Sequence, residues 1–345
     1  MSDRRKLVWA PSNRPPTPLP PHIHRSYITT PTGQLELLHA EPADTDAPRQ
    51  PPIFFQHGGC ECAAVWLPYM TYLSQQRNIP CYAISLRGHG ASWALSYWRM
   101  FFTSKAALGD DILAGIRHVK YLEQKTHAFD SEVVLVAHSA GGGLSQYLLG
   151  RGALQVRALI LVAAIPFSGS SGVYWNWFKM DPWFLLRSYW HLGHPISPLS
   201  STTLVHRAFF SPECPRTVVR DFEPNICDYE SMRWPIGLMH SFTNARDVLR
   251  NIRGRGLGPR LLILAGEVDR LMSVPIMARM RDGYQLAAKK MAQEVRADSE
   301  KEKEINVAID QEQIWYAVVK GAHHLQNDVH WEDGAKEIAA FVEQQ

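Results

Sequence analysis

The strongest constraint on this chain is one stretch, residues 132–143, in which an apolar run turns abruptly through small residues. The run from Val133 to Ala137 is valine-rich and too short for a stable helix, which is typical of a strand buried on both faces of a parallel sheet. Residues 144–149 then show helical spacing. Ser139 lies on the turn between them, where its hydroxyl would be lifted above the start of the helix. The same pattern also fits a serine that only caps a helix N-terminus.

The segment Ala137-His138-Ser139-Ala140-Gly141 resembles the nucleophile elbow, G-x-S-x-G, of the α/β-hydrolase fold superfamily. It departs from that motif at Ala137, where the pattern has glycine and a methyl group is the smallest possible intrusion. The resemblance implies that Ser139 is the nucleophile of an esterase-like serine hydrolase with a cap domain. It implies neither a metal nor an organic cofactor.

Strands that alternate with helices predict the rest of the fold. Residues 25–30 and 34–39 flank a Pro-Thr-Gly turn and predict an opening antiparallel hairpin. Buried strands are then predicted at residues 52–56, 80–85, 156–164, 260–266 and 314–319. This rhythm indicates an α/β fold, with a mostly parallel central sheet and helices on both of its faces.

Two regions depart from this alternation. Residues 1–24 are basic and rich in proline, which predicts a flexible, extended arm. Between residues 166 and 257 the alternation stops, and the resemblance implies that this insertion is the helical cap, or lid. The hydrolase core is then residues 25–165 and 258–345. The insertion is rich in aromatic residues, among them Trp175, Trp177, Phe178, Trp183, Phe184, Tyr189, Trp190, Phe209, Phe210, Phe222 and Trp234.

The turn after the first buried strand is similar to the HG dipeptide of the same family. That dipeptide precedes the residue whose N–H forms half of the oxyanion hole. Here the resemblance implies Gly59, with Cys60 as the near alternative, and Ala140 as the second donor. Glycines directly after a strand also let the backbone approach a ligand closely.

The acid and the base of a catalytic triad are implied by two later segments. Asp269 follows the strand at 260–266, where the family places its acid, and Glu267 is the second choice. An ungapped alignment with the family's G-x-G-H loop places His324 on the catalytic histidine and leaves His323 as the second choice. The order Ser139, Asp269, His324 is the one expected for this fold. Each residue directly follows a predicted strand, where ligand sites of parallel sheets lie.

The leading hypothesis is therefore a serine hydrolase that cleaves a carboxylic ester, lactone or thioester through an acyl-enzyme. The aromatic insertion suggests a bulky, apolar or aromatic small molecule, such as an ester of secondary metabolism. Two alternatives stay open: lyase, retro-aldol or cyclase chemistry without acylation on the same fold, and a non-catalytic protein that binds a hydrophobic ligand.

Composition bounds the partners and the compartment. A net charge of +3 gives no argument for a nucleic-acid partner. No apolar run is long enough to span a membrane, and Met1 to Pro21 lack the apolar core of a signal peptide. The five cysteines are odd in number and form no C-x-x-C pair, which suits a reducing compartment. We expect a cytoplasmic protein, and the oligomeric state is left open.

Overall fold

The computed structural model describes residues 3–11, 14–128, 132–254, 258–299 and 313–345. Residues 1, 2, 12 and 13 of the predicted arm and residues 255–257 at the end of the predicted insertion lie outside this part of the chain. Among the residues described, no helix is long and apolar enough to cross a membrane.

One eight-stranded sheet forms the centre of the molecule, with the strand order β1-β2-β4-β3-β5-β6-β7-β8. The pairs β1/β2 and β2/β4 are antiparallel, and all the other pairs are parallel. The predicted hairpin and the mostly parallel sheet are thus confirmed. The strands are β1 (Ile23–Thr30), β2 (Gly33–Ala40), β3 (Ile53–Gln56), β4 (Cys81–Ile84), β5 (Val134–His138), β6 (Ala158–Val162), β7 (Leu261–Gly266) and β8 (Ile314–Val319).

Helices cover both faces of this sheet. They are α1 (Leu67–Arg77), α2 (Tyr97–Phe101), α3 (Lys105–His127), α4 (Ser139–Gly150), α5 (Ser171–Met180), α6 (Phe184–Trp190), α7 (Thr202–Phe209), α8 (Arg216–Phe222), α9 (Arg233–Gly237), α10 (Ala245–Arg250), α11 (Val274–Ser299) and α12 (Trp331–Val342). Short 3₁₀ helices lie at Ala63–Trp66, Ser197–Leu199 and Glu223–Asn225. Helix α1 packs against α12, whereas α3, α4, α10 and α11 form a row of neighbours. Strands β3, β4, β5, β6 and β7 are largely apolar and buried along their whole length, which explains their continuous rather than alternating hydrophobic pattern.

The parallel strands bring distant parts of the chain to one edge of the sheet. Strands β3, β5, β7 and β8 run in the same direction, so the segments that follow them meet at their carboxyl ends. Those segments contain Gly59, Ser139, Asp269 and His323. The sheet therefore places four of the predicted site residues in one region.

The stretch between β6 and β7 contains six short helices, α5 to α10, and no strand in the part that the structure describes. The N-terminal arm lies along this insertion. The Arg5 guanidinium donates to the backbone carbonyls of Glu223 at 3.2 Å and Ile226 at 2.7 Å, and the Trp9 ring lies 4.8 Å from that of His194. Proline content predicts the extended backbone of the arm, but it carries no information about these contacts, which come from the arginine and tryptophan within it.

Gly141, in the first turn of α4, tests how tightly the elbow is packed. A Cβ at this position would lie 2.0 Å from the backbone oxygen of His57, whereas a Cβ on Gly172 in α5 would meet nothing closer than Ile276 at 3.6 Å. We expect Gly141→Ala to lower the free energy of unfolding by about 3 kcal/mol, because the clash with backbone cannot relax. Gly172→Ala should be neutral or stabilise by up to about 1 kcal/mol, as alanine does in an open helix. Urea unfolding measures both, and equal effects of the two substitutions would contradict the packing described here.

Candidate active site

Ser139 occupies a strained turn at the junction of β5 and α4. Its φ is +48°, in the left-handed region that residues with a side chain rarely adopt. The turn is held by the Ile165 N–H, which donates to the Ser139 carbonyl at 3.0 Å. Because strain of this kind persists only where the surroundings impose it, the position of the hydroxyl is set by the fold. Ser139 as a whole residue is only 9% exposed and lies beneath the insertion.

A continuous chain of hydrogen bonds joins Ser139 to a carboxylate. The Ser139 Oγ lies 3.0 Å from His323 Nε2, and His323 Nδ1 lies 2.9 Å from Asp269 Oδ2. A carboxylate only accepts, so the Nδ1 carries the proton and Nε2 is free to accept the hydroxyl hydrogen. This is the arrangement by which an imidazole activates a serine nucleophile.

The structure places His323, and not His324, beside Ser139, and this corrects the first choice made from the sequence. The loop here reads Gly-Ala-His, one residue shorter than G-x-G-H, and Gly321 takes a φ of +122°. Neighbouring side chains point to different sides, so His323 faces Ser139 while Nε2 of His324 lies 2.8 Å from Glu61 Oε1 beneath the site. The second choice for the base is the residue in contact with the serine.

Asp269 is held in place by the backbone that follows β7. Its Oδ1 accepts hydrogen bonds from the N–H groups of Leu271 at 2.7 Å and Met272 at 2.9 Å, which leaves Oδ2 for His323. Glu267, the second choice for the acid, is exposed to solvent. The structure therefore brings Asp269, and not Glu267, to the histidine.

The two predicted oxyanion donors lie side by side. A Cβ built on Gly59 would be 3.6 Å from the Cβ of Ala140, which is at the start of α4, where backbone N–H groups have no partner within the helix. The N–H of Cys60, the near alternative, donates to Glu230 Oε2 at 2.7 Å and is thus engaged elsewhere. The geometry favours Gly59 over Cys60 as the donor of this turn.

Below these residues lies a buried carboxylate, Glu61, that sequence reasoning missed. Its Oε2 accepts hydrogen bonds from Gly58 N–H at 3.0 Å and from His138 Nδ1 at 3.1 Å, and His324 contacts its Oε1. The opposite nitrogen of His138 donates to the carbonyl of His323 at 3.0 Å. Although burial opposes ionisation, the neighbouring His324 and His138 hold the pKa of Glu61 well below its usual value. Burial likewise opposes the charge on His138, but Glu61 raises its pKa.

Glu61, His138 and His324 are close enough to suggest a metal site, but their protons do not fit one. Asn327 Nδ2 donates to the Val65 carbonyl at 2.8 Å and lies 3.1 Å from His324 Nδ1, so this nitrogen accepts and the proton of His324 is on Nε2, facing Glu61. A metal would need the lone pair of Nε2 instead. The cluster is best described as a hydrogen-bonded ion pair.

A second buried ion pair supports the oxyanion turn. His89 Nε2 lies 2.9 Å from Glu230 Oε2, and its Nδ1 lies 2.9 Å from the Arg87 carbonyl, so both ring nitrogens act as donors. The pKa of His89 is raised: burial opposes the charge, and Glu230 outweighs burial. Since Glu230 also accepts from Cys60 N–H, it connects the insertion to the turn beside Ser139.

A cavity of about 380 Å³ lies over the serine and is bounded by both the core and the insertion. Its polar lining includes Ser139, His323 and Glu230, and most of the rest of its wall is apolar. The eleven aromatic residues of the insertion that were named from the sequence divide into three groups. Trp177, Phe184, Phe209 and Trp234 line the cavity, Phe210 and Phe222 are buried, and Trp175, Phe178, Trp183, Tyr189 and Trp190 are exposed.

Comparison with known proteins agrees with this architecture. A family model described as the alpha/beta hydrolase family matches residues 53–341. An esterase from Exiguobacterium antarcticum superposes with a TM-score of 0.62 at 16% identity, over 92% of this chain and 99% of that one. A thermophilic esterase from Thermogutta terrifontis gives 0.59 at 15% identity, over 93% and 98%. An enol-lactonase from Burkholderia xenovorans gives 0.58 at 14% identity, over 92% and 100%. No curated protein sequence matches the chain.

Replacing Glu61 by Gln should both destabilise the protein and impair the site. The amide keeps the size of the side chain but offers one acceptor oxygen where the carboxylate offers two. Breaking a buried pair of this kind costs about 3–5 kcal/mol, which urea unfolding would measure. We also expect Ser139 to react at least about tenfold more slowly with a fluorophosphonate, since displaced groups at such sites cost 10²-fold or more.

Glu123→Gln is the matched control for that variant. Glu123 is equally buried and accepts from Arg49 and Tyr82, but it lies towards the opposite edge of the sheet. Glu123→Gln should lower the free energy of unfolding and leave the rate at which Ser139 reacts with a fluorophosphonate unchanged. Equal reactivity of both variants would contradict a role for Glu61 in positioning the site.

Acid should weaken the protein through His324. Burial lowers the pKa of His324 to about 4, against 6.5 in an unfolded chain. Between these two pH values His324 is protonated in the unfolded state and neutral in the folded state. Stability is then lost as the pH falls from 6.5 to about 4, by roughly 3 kcal/mol for this one group. Urea unfolding of the wild type and His324→Gln at pH 7 and pH 4 would isolate the effect. Between pH 7 and pH 4, the free energy of unfolding of the wild type should fall by roughly 3 kcal/mol more than that of His324→Gln. If the difference in stability between the two proteins is the same at both pH values, His324 is not the group responsible.

Proposed function

The chain belongs to the α/β-hydrolase family, and from that premise we propose that it is a serine hydrolase acting on a carboxylic ester, lactone or thioester. The observation that carries this proposal is the continuous hydrogen-bond chain Ser139–His323–Asp269, positioned at the carboxyl ends of the parallel strands. A serine hydroxyl alone is a poor nucleophile, and a histidine oriented by a buried carboxylate is what makes it reactive.

In the first half of the proposed reaction, Ser139 Oγ attacks the substrate carbonyl while its proton moves to His323 Nε2. The imidazolium that forms is stabilised by Asp269 through Nδ1–H. The negative charge on the carbonyl oxygen is received by the backbone N–H groups of Gly59 and Ala140. Each such donor is worth about 3 kcal/mol of the barrier. Collapse of the intermediate transfers the proton from Nε2 to the leaving alcohol or thiol and leaves an acyl group on the serine.

In the second half, water replaces the leaving group. His323 takes a proton from that water, which attacks the acyl carbonyl, and the same two N–H groups stabilise the second tetrahedral intermediate. The proton then returns to Ser139 Oγ as the acid departs. No metal or organic cofactor is required at any step of this proposal.

The cavity supports a bulky, apolar or aromatic substrate. Its volume of about 380 Å³ lies in the range of sites that enclose drug-sized molecules. Trp177, Phe184 and Trp234 supply large, rigid surfaces for a ring or a branched chain. We propose that the insertion acts as the cap that selects this group, and that the substrate belongs to secondary metabolism.

We further propose that the protein works in the cytoplasm, a reducing compartment that suits a chain with five free thiols. The proposed partner is the small-molecule substrate alone, with no nucleic acid. The proposed division is an arm at residues 1–24, a core at 25–165 and 258–345, and the cap at 166–257.

A fluorophosphonate probe followed by mass spectrometry of the modified peptide tests the mechanism. We expect an adduct on Ser139 in the wild type, none in Ser139→Ala, and a rate lower by about 10³-fold or more in His323→Ala. His324→Gln should keep the rate within about tenfold, because this residue does not contact the serine. Activity on aryl esters with aromatic or branched acyl groups should exceed that on the corresponding acetates.

The result also separates the alternatives. Folded wild-type protein that gives no adduct would contradict the proposed nucleophile and favour a ligand-binding role. An adduct without turnover of any ester, lactone or thioester would favour lyase-type chemistry at the same residues. Loss of labelling in His324→Gln but not in His323→Ala would reverse the assignment of the base.

A further inference from the structure

Two cysteines that are far apart in the sequence meet at the oxyanion turn. Cys60 follows Gly59 in the core, and Cys227 lies in the insertion, just after the 3₁₀ helix at Glu223–Asn225. Their two sulfur atoms and a carboxylate oxygen of Glu230 all lie within 4.8 Å of one another. Both thiols are free.

The backbone already holds these cysteines at the separation that a disulfide needs. The Cys227 N–H donates to the Cys60 carbonyl at 2.9 Å, so the two main chains run against each other. The Arg5 guanidinium fixes the other side of this segment through the carbonyls of Ile226, at 2.7 Å, and Cys227, at 3.5 Å. Disulfides join residues whose Cα atoms are about 4.4–6.8 Å apart, a range that two hydrogen-bonded backbone segments occupy. Bond formation therefore needs mainly side-chain rotation.

The two thiols differ in access, which sets the order of their reactions. Cys60 is partly exposed and lines the cavity over Ser139, so a small oxidant can reach it. Cys227 is buried, and burial, together with a hydrogen bond to Cys60, raises its pKa well above the usual value. The remaining cysteines, Cys62, Cys81 and Cys214, are all buried. Cys60 is thus the thiol that an oxidant meets first.

We propose that Cys60 and Cys227 form a modification site, at which a peroxide converts the dithiol into a disulfide that ties the oxyanion turn to the insertion. The Cys60 thiol gives up its proton and its sulfur attacks a peroxide oxygen; the O–O bond breaks, the sulfur becomes a sulfenic acid, and the departing oxygen takes up that proton and leaves as water or alcohol. Cys227 then attacks that sulfur, the S–O bond breaks, and the hydroxyl leaves as water with the remaining proton. The dithiol loses two electrons and two protons, and the peroxide takes them up.

A metal ion is the other occupant that two thiols and a carboxylate could bind. Glu230 argues against it, because its oxygens already accept from Cys60 N–H, Ser231 N–H and His89 Nε2. A metal would have to compete with all three donors for the carboxylate. The dithiol, by contrast, can be oxidised while these bonds remain in place.

The disulfide would act on the reaction through the Gly59–Cys60 peptide, a consequence that rests on the proposed function. Cys60 has a φ of +65°, so its conformation already depends on the surrounding contacts. A disulfide to Cys227 would tie this peptide covalently to the insertion, so that the Gly59 N–H could no longer adjust to the tetrahedral intermediate. Losing an oxyanion donor outright costs about 10²–10³ in kcat, so we expect the oxidised protein to react with a fluorophosphonate at least about tenfold more slowly.

The test uses the full chain, first reduced and then treated with hydrogen peroxide, alkylated, and digested without reductant for mass spectrometry. We expect a peptide pair linked through Cys60 and Cys227, which disappears after dithiothreitol treatment. Cys60→Ser and Cys227→Ser should each lack the linked pair. Cys214→Ser, the control, replaces another buried thiol and should form the pair as the wild type does.

Three results would overturn the proposal: oxidation of Cys60 to sulfinic acid without a cross-link, a cross-link between two molecules, or a pairing of Cys60 with Cys62. The cross-link is detected by mass, so it decides the modification site even if Ser139 never reacts, a result that would count against the proposed function alone. If the cross-link forms and the rate of fluorophosphonate labelling stays unchanged, the proposed effect of the disulfide on the oxyanion turn is contradicted. In Cys227→Ser, peroxide should leave labelling faster than in the oxidised wild type.

Discussion

The site depends on one carboxylate, Glu61, which is almost fully buried at the floor of the cavity. Glu61 meets Gly58 of the oxyanion turn, His138 before the nucleophile and His324 after the base, which belong to three separate connections of the sheet. Removing such a charge from water costs several kcal/mol, and only close partners compensate for it. The loops are thereby held to one another, and the distances within the Ser139–His323–Asp269 chain follow from contacts one layer below it.

Local patterns in the sequence were enough to predict the sheet and a serine on a tight turn, whereas the elbow and the acid were implied by the resemblance to the family. An apolar run with small residues after it determines a strand and a tight turn within a dozen residues, so Ser139 could be identified directly. The choice between His323 and His324 cannot be made from a local pattern. It depends on the dihedral angle at Gly321 and on Glu61, which is far away in the sequence, so counting along the chain selects the wrong neighbour.

The buried charges were unpredictable for a related reason. Nothing beside Glu61 or Glu230 in the sequence marks them as buried, because the histidines that compensate them come from other connections. The sequence predicted an insertion rich in aromatic residues, but it did not predict which of these residues line the cavity. Its helices are short, so their spacing defines no clear inner face, and Trp177 lines the cavity while Trp190 is 82% exposed.

The arm fastens the insertion at points away from its two connections to the core. The insertion is continuous with the core at β6 and β7, and it also contacts the oxyanion turn through Glu230 and Cys227. Arg5 and Trp9 contact it elsewhere, at the carbonyls of Glu223 and Ile226 and at the ring of His194. Contacts at several separated points oppose rotation of the insertion as a rigid body. Exchange between the cavity and solvent then depends on movements of side chains at the rim, and release of the whole insertion would require residues 3–11 to detach first.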